Sequence, residues 1–267
     1  MPSIVQSIND FEFEPTPEDI LSFLVKRYDI ANTDDYILKH SRFLNVFREN
    51  DAVSRVVNEI LLRNSNATNH HLARVAIICR LVNHRDCLPI LFERGSSFLQ
   101  TPQDHRYKME EFTQRDGVVC NPAAYQINPR IGFDHGHRNI RDTMVHKLPA
   151  VLDSVSTALI STNKIDKATD AANKAFGGFA NFWMFQAAID ISWHRPEVMD
   201  PYSKPYLGSG SKNAVIDMEM LRNYLNNNRP ASWREFYPYD VENALCEFRK
   251  YKMRQEKGIP NNRRYSQ

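Results

Sequence analysis

The sequence predicts a mainly α-helical protein made of two helical lobes with a less regular stretch between them. Three observations carry that expectation. Glycine occurs nine times in 267 residues, well under the roughly 7% of an average chain, which disfavours turn-rich all-β folds and glycine-rich loops. Apolar residues recur at helical spacing through most of the chain. Helix starts are marked by capping residues followed by proline or acids. With 42% hydrophobic and 25% charged residues, the chain can bury a core and does not have the composition of an intrinsically disordered protein.

Taken in order, residues 1–15 form an acidic N-terminal segment, and 16–267 read as a single helical domain with lobes at about 16–100 and 140–267. Thr16-Pro17-Glu18-Asp19 places a cap, a proline at the first helical position and acids in the first turn, and Ile20, Leu21, Phe23, Leu24 and Tyr28 follow as an apolar face. Two more helical stretches are expected within 35–63, and another around 70–83, where Leu72, Val75, Ala76 and Cys79 repeat the spacing. The region from about 100 to 139 carries Pro102, Pro122, Pro129, Gly117, Gly132 and Gly136 and reads as loop or short strands near 118–119 and 125–127. Met144, Leu148, Val151, Leu152, Val155, Ala158 and Leu159 then make an uninterrupted stripe, a core helix over 141–160. Helices are expected again at 166–175, 181–193, 211–226 and 240–257.

Charge narrows the function classes. Lys and Arg number 34 against 32 Asp and Glu, a net charge of +2, so no whole-molecule field points to nucleic acid. The basic run from Arg249 through Lys250, Lys252, Arg254, Lys257, Arg263 and Arg264 suits either a solvated helix face or phosphate contact. Neither GxGxxG nor GxxxxGK[ST] is present, so a P-loop phosphoryl transfer requires a separate protein. No apolar run approaches a membrane span, and the reading is a soluble, intracellular protein. Four cysteines without CxxC spacing suggest a reduced compartment and no zinc knuckle. His135 and His137, with Asp134 and His146, are too weak a pattern for a metal site, and no cofactor motif is detectable.

Residues 165–190 read as a helix, a Gly177-Gly178 turn and a second helix, the outline of a helix-hairpin-helix. Two options stay open: backbone N–H groups at the turn approach a phosphate, or the glycines only close a helical hairpin. Phe182, Gln186 and Asp190 lie four apart on one face of the second helix. A buried carboxylate is costly unless paired, so Asp190 either caps a structural network or is held for a ligand. Asp200 follows at a loop position. In the segment 42–55, read as helical, Arg42, Asn45 and Glu49 share one face and Arg48, Asp51 and Arg55 another, suiting ion pairs or phosphate forks. Asp240 is expected to cap the last helix, with Glu242 beside Cys246 and Glu247 beside Tyr251. Acids beside Cys246 raise its pKa and argue against a nucleophile.

The order of these segments resembles a known family, the helical domain named after phage hydroxymethyldeoxyuridine DNA kinases, related to the α-glutamyl/putrescinyl-thymine pyrophosphorylases. The segments that carry the resemblance are RFLNVFREND over 42–51, RLVN over 80–83, NPAAY over 121–125, GGFANF over 177–182 running to Gln186 and Asp190, GSGS over 208–211, and DVENALCEFRKY over 240–251. It spans about residues 20–265. It departs from the expected pattern in reading Phe-Gly-Gly-Phe at the hairpin and Gly-Ser-Gly where Gly-Pro-Gly is usual.

The resemblance implies a divergent relative of helix-hairpin-helix DNA glycosylases that serves DNA thymine hypermodification, in which hydroxymethyluracil is phosphorylated or pyrophosphorylated and the activated group displaced by an amine or amino acid. It implies Arg42, Asn45, Arg48, Asp51, Arg80, Asn83, Tyr125, Gln186, Asp190, Glu242, Glu247 and Lys250 as site residues. Gly177, Gly178 and Phe182 join them as DNA or base contacts, and Asp200 stands where such a glycosylase places its catalytic acid. The expected function is a transferase acting on hydroxymethyluracil or its phosphorylated form, with Asp190, Arg42 and Arg48 in the chemistry. Its partners are DNA, a nucleotide or amine/amino-acid donor, and other enzymes of the pathway. A phage-encoded chain would act in the host cytoplasm, a eukaryotic one in the nucleus. The rivals are a non-catalytic DNA-binding module that partners a separate kinase, and a glycosylase using Asp200.

Overall fold

A computed structural model describes residues 12–41, 43–116, 143–178, 180–208 and 210–257. Among them lie eleven α-helices and no strand, the only β-type pairing being an isolated bridge between Phe13 and Ala214. Contacts divide the chain into two compact units. One combines 1–51 with 204–267, and the other is the continuous stretch 52–203.

The first unit contains α1 (Pro17–Tyr28), α2 (Tyr36–His40), α10 (Met218–Asn228) and α11 (Pro238–Lys257). The signals at the start of α1 act as expected: the Thr16 hydroxyl accepts from Asp19 N at 3.1 Å, and Pro17 opens the helix. Asp35 and Asp217 cap α2 and α10 in the same way. Helix α11 begins at Pro238, so Asp240 is not the residue before the helix. It lies in the first turn and reaches back to accept from Tyr237 N at 2.8 Å, the second half of a capping box. The unit closes on one core that joins Phe13, Ile20 and Phe23 to Leu221, Trp233, Phe236 and Phe248.

The second unit contains α3 (Ala52–Arg63), α4 (Asn69–Val82), α5 (Cys87–Leu91), α6 (Pro102–Asp116), α7 (Leu148–Leu159), α8 (Ile165–Phe176) and α9 (Asn181–His194). Helix α9 packs against α8 and α4, and α7 against α8 and α4. Both α4 and α9 are buried nearly all round, as helices at the centre of a bundle must be.

Three expectations change. Residues 102–116, read as irregular, form a fifteen-residue helix; Pro102 is its first residue rather than a breaker, and Thr101 Oγ1 accepts from Asp104 N. The stretch 143–147 is a π turn leading into α7. Helix α10 starts at Met218 rather than 211. The short strands expected at 118–119 and 125–127 lie outside the described residues. No described helix is long and apolar enough to cross a membrane.

Candidate functional site

The sequence candidates fall into two clusters, one in each unit. The first is built on α11, where Glu242, Cys246 and Lys250 follow at intervals of four and Asn243 and Glu247 form the neighbouring row. The 43–51 stretch is not the helix its spacing suggested. It is extended, with a single 3₁₀ turn at Arg48–Asn50. Asp51 Oδ1 accepts from Asn45 N at 3.0 Å and from Asn45 Nδ2 at 2.8 Å, closing 45–51 into a loop. Side-chain bonds of this kind compete with the helical ladder.

Helix α11 holds that loop in place. Glu247 Oε2 accepts from Leu44 N at 3.1 Å, and Asn243 Nδ2 donates to Asn45 O at 3.1 Å. Glu247 Oε1 also takes Lys250 Nζ at 2.5 Å. Glu242, buried, accepts from Ser211 Oγ at 2.9 Å and Gly208 N at 3.3 Å. Burial raises its pKa, while the Arg48 and Lys250 charges pull it down. Burial also pushes the Cys246 thiol up to about 12, with Glu247 and Glu242 adding to the rise, which agrees with its exclusion as a nucleophile. The 208–211 segment approaches α11 closely: a Cβ on Gly210 would lie 2.3 Å from Cys246 Sγ.

Two residues of this unit were missed. Arg27 donates to Phe43 O at 2.6 Å and feels the charges of Glu247 and Asp51. Arg234 clasps Glu49 and Asp240 together, with contacts of 2.5 to 3.1 Å, and lies 4.3 Å above the Phe47 ring. Neither stands in a motif, and only the fold brings them to these partners. Of the basic run, Arg249 is buried, Lys250 and Lys252 are paired with acids, and Arg254 lies over the Phe43 ring.

The second cluster centres on α9. Asp190 is fully buried, and both of its oxygens accept from Arg80 of α4, Nε and Nη2 each at 2.5 Å. Arg80 Nη2 also donates to Ser54 Oγ of α3 at 3.0 Å. This two-pronged pair is the partner that a buried carboxylate demands. Asn83 ends α4 in the left-handed conformation at φ 44°. Gln186 is buried with no hydrogen-bond partner for Nε2, and one turn before it Trp183 Nε1 is in the same condition. Phe182 is half-buried on the same helix.

The turn between α8 and α9 is a Schellman cap. Gly177 N donates to Lys174 O and Gly178 N to Asn173 O, at φ values of 103° and 89°. Asn173 Oδ1 accepts from Ala180 N, tying down the start of α9. Both glycine N–H groups are therefore spent inside the hairpin, as the loop-closing option requires. Asp200 is half-exposed; it accepts from Tyr202 N at 2.9 Å and pairs with Lys164 Nζ at 3.2 Å. Arg42, Tyr125 and the histidine group at 134–137 lie outside the described residues.

With Asn45, Arg48, Asp51, Glu242, Glu247 and Lys250 gathered in one unit and Arg80, Asn83, Gln186 and Asp190 in the other, the family motifs have a structural setting, and residues 24–220 match the family described as 5-hmdU DNA kinase, helical domain. The chain belongs to this family. That places it in the context of hydroxymethyluracil in DNA and of the kinase whose helical domain gives the family its name. No curated protein and no solved structure matches the chain. Within the family segment both clusters are represented, while Glu242, Glu247 and Lys250 lie beyond its end.

Proposed function

We propose that this member of the 5-hmdU DNA kinase helical-domain family is a transferase of DNA base hypermodification, acting inside the cell on hydroxymethyluracil or its phosphorylated or pyrophosphorylated form. The observation that supports this most is the α11 cluster, where buried Glu242 is held by a hydroxyl and a backbone N–H beside the charges of Arg48 and Lys250. Displacement of a phosphorylated group needs cations on the departing oxygens and a carboxylate to take the nucleophile's proton. Arg48 and Lys250 suit the first role. Glu242 suits the second, its raised pKa bringing it nearer to neutral pH. A pyrimidine in a duplex must be flipped out to react; Gln186 and Phe182, in the 52–203 unit, enter this reading separately, as candidates for contact with DNA. Arg42 and Tyr125 belong to the same reading, with DNA as partner and a nucleotide, amine or amino acid as donor.

The test is product analysis. Duplex DNA containing hydroxymethyluracil is incubated with the full chain and nucleotide or amine donors, then digested to nucleosides for mass spectrometry. A new modified nucleoside is expected, with Glu242→Gln lowering turnover by roughly 10²- to 10⁴-fold and leaving DNA affinity intact. DNA affinity that falls with salt but yields no product identifies a binding module. Abasic sites that vanish in Asp200→Asn identify a glycosylase. No binding and no product overturns all three readings.

A further inference from the structure

A second group of polar residues lies in the 52–203 unit, away from every family motif. A pocket of about 310 Å³ opens beside the start of α6, lined by Leu99, Pro149, Leu152, Arg74, Asp153 and His105. His105 is 1% exposed, and neither ring nitrogen has a hydrogen-bond partner. Burial, with the Arg74 charge adding to it, pushes its pKa down to about 4, so the ring is neutral at physiological pH. A neutral imidazole carries one donor and one acceptor, and leaving either buried and unmet is unfavourable.

A second pocket of about 510 Å³ shares Arg74 and Gln100 with the first and is lined also by Thr68, His70 and His71. It lies at the N-terminus of the fourteen-residue α4, where Thr68 Oγ1 accepts from His71 N and the remaining first-turn N–H groups point out of the helix end. Arg74 joins the two spaces. It donates to Leu99 O at 2.8 Å and pairs with Asp153, while its buried Nε has no partner.

We infer that these adjoining pockets form a nucleotide site: the base lies against Leu99, Pro149 and Leu152 with its polar edge on His105, and the phosphate lies at the α4 N-terminus beside Arg74 and His71. Apolar walls suit the faces of a planar ring, and a base edge offers the acceptor and donor that the imidazole lacks. Helix N–H groups, the helix dipole and a guanidinium together favour a phosphate. The nucleotide comes either free or as a unit of single-stranded DNA. None of these residues belongs to the α11 or α9 clusters, so failure at one place leaves the other standing.

Calorimetry on the full chain separates the contributions, with four nucleoside 5′-monophosphates, their nucleosides, inorganic phosphate and a short single-stranded oligonucleotide as probes. At least one monophosphate is expected to saturate, about tenfold or more tighter than its nucleoside or phosphate alone. His105→Phe, folded by melting at pH 7.5, should weaken it about tenfold by removing the polar edge, a loss of the size of one net hydrogen bond. Arg74→Gln should weaken the monophosphate and spare the nucleoside. Gln100→Trp, at the exposed rim shared by both pockets, should block binding without touching the core, so the test survives if His105→Phe does not fold. Oligonucleotide binding weakened by the same variants, with no free nucleotide bound, assigns DNA as the source. No saturable binding of any probe, or folded variants that bind as tightly as the parent, overturns the site.

Discussion

The carboxylate of Asp190 is fully buried and meets both nitrogens of one edge of Arg80. Breaking such a pair strands a buried charge, so Asp190→Asn should destabilise by about 3–5 kcal/mol. Replacing both partners by apolar residues, Asp190→Leu with Arg80→Met, should recover more than half of that, because neither desolvated charge then remains. Thermal melts of the three variants check this, and turnover measured on the double variant tells a purely structural pair from one that also serves chemistry. Sequence reasoning flagged Arg80 and Asp190 separately but could not join them, since no spacing rule links residues 110 apart. It left open whether the carboxylate served structure or a ligand; the pairing supplies the structural partner. On α11, by contrast, Glu242 and Cys246 were legible as neighbours because a helix turns separations of four into contacts. The approach of Gly210 to Cys246 was not legible, because only the fold brings the 208–211 segment against the helix. A Cβ there has no room, so Gly210→Ala should cost about 1–3 kcal/mol as overpacking does. Cys246→Ala should relieve part of that in a double-variant melt.

Among the elements, the α8–α9 hairpin shows what a Gly-Gly pair does when both residues take positive φ. Gly177→Ala meets little, the nearest atom being the Lys147 Nζ at 3.4 Å, so its cost is conformational, about 1–2 kcal/mol for the left-handed backbone. Gly178→Ala, with nothing within 4 Å, should cost the same; denaturant midpoints of the two variants check this. A much larger loss for either would point to contacts beyond the cap. Helix α6 went unread although its start repeats that of α1, Thr101-Pro102 in place of Thr16-Pro17, each threonine accepting from the N–H three residues on. Its apolar side is thin, with Met109 and Phe112 buried among charges, and a proline that breaks a helix from within is favoured at its first position. The 43–51 stretch failed in the opposite direction: its spacing suits a helix, but the Asn45–Asp51 bonds hold it open. Helices with continuous apolar stripes, such as α4 and α7, were legible because burial alone decides them.

For the molecule as a whole, the buried histidines should make acid destabilising from about pH 6.5 down, and Asp240, whose carboxyl burial raises to about 6, should offset part of this below pH 6. Burial depresses the pKa of His105 to about 4 and lowers those of His71 and His194. At these histidines the unfolded chain therefore binds protons first. Their contribution is complete above pH 6.5, falls as pH drops through 6.5 toward 4, and for His105 amounts to about 3 kcal/mol. Denaturation at pH 7.5, 6, 5 and 4 should show this decline, and His105→Phe should flatten it; equal slopes for parent and variant would remove His105 as the cause. The division into units makes a further demand. Residues 52–203 form a continuous unit, whereas the other draws Phe13 and Phe23 together with Phe236 and Phe248. A chain that emerges from the ribosome N-terminus first can complete the continuous unit while its earliest helices still wait for α10 and α11 to be made. During translation, then, Ile20, Phe23 and Leu24 of α1 have no core to enter. A released chain truncated near residue 203 should keep α3, α4, α7, α8 and α9 resistant to protease while α1 is cut.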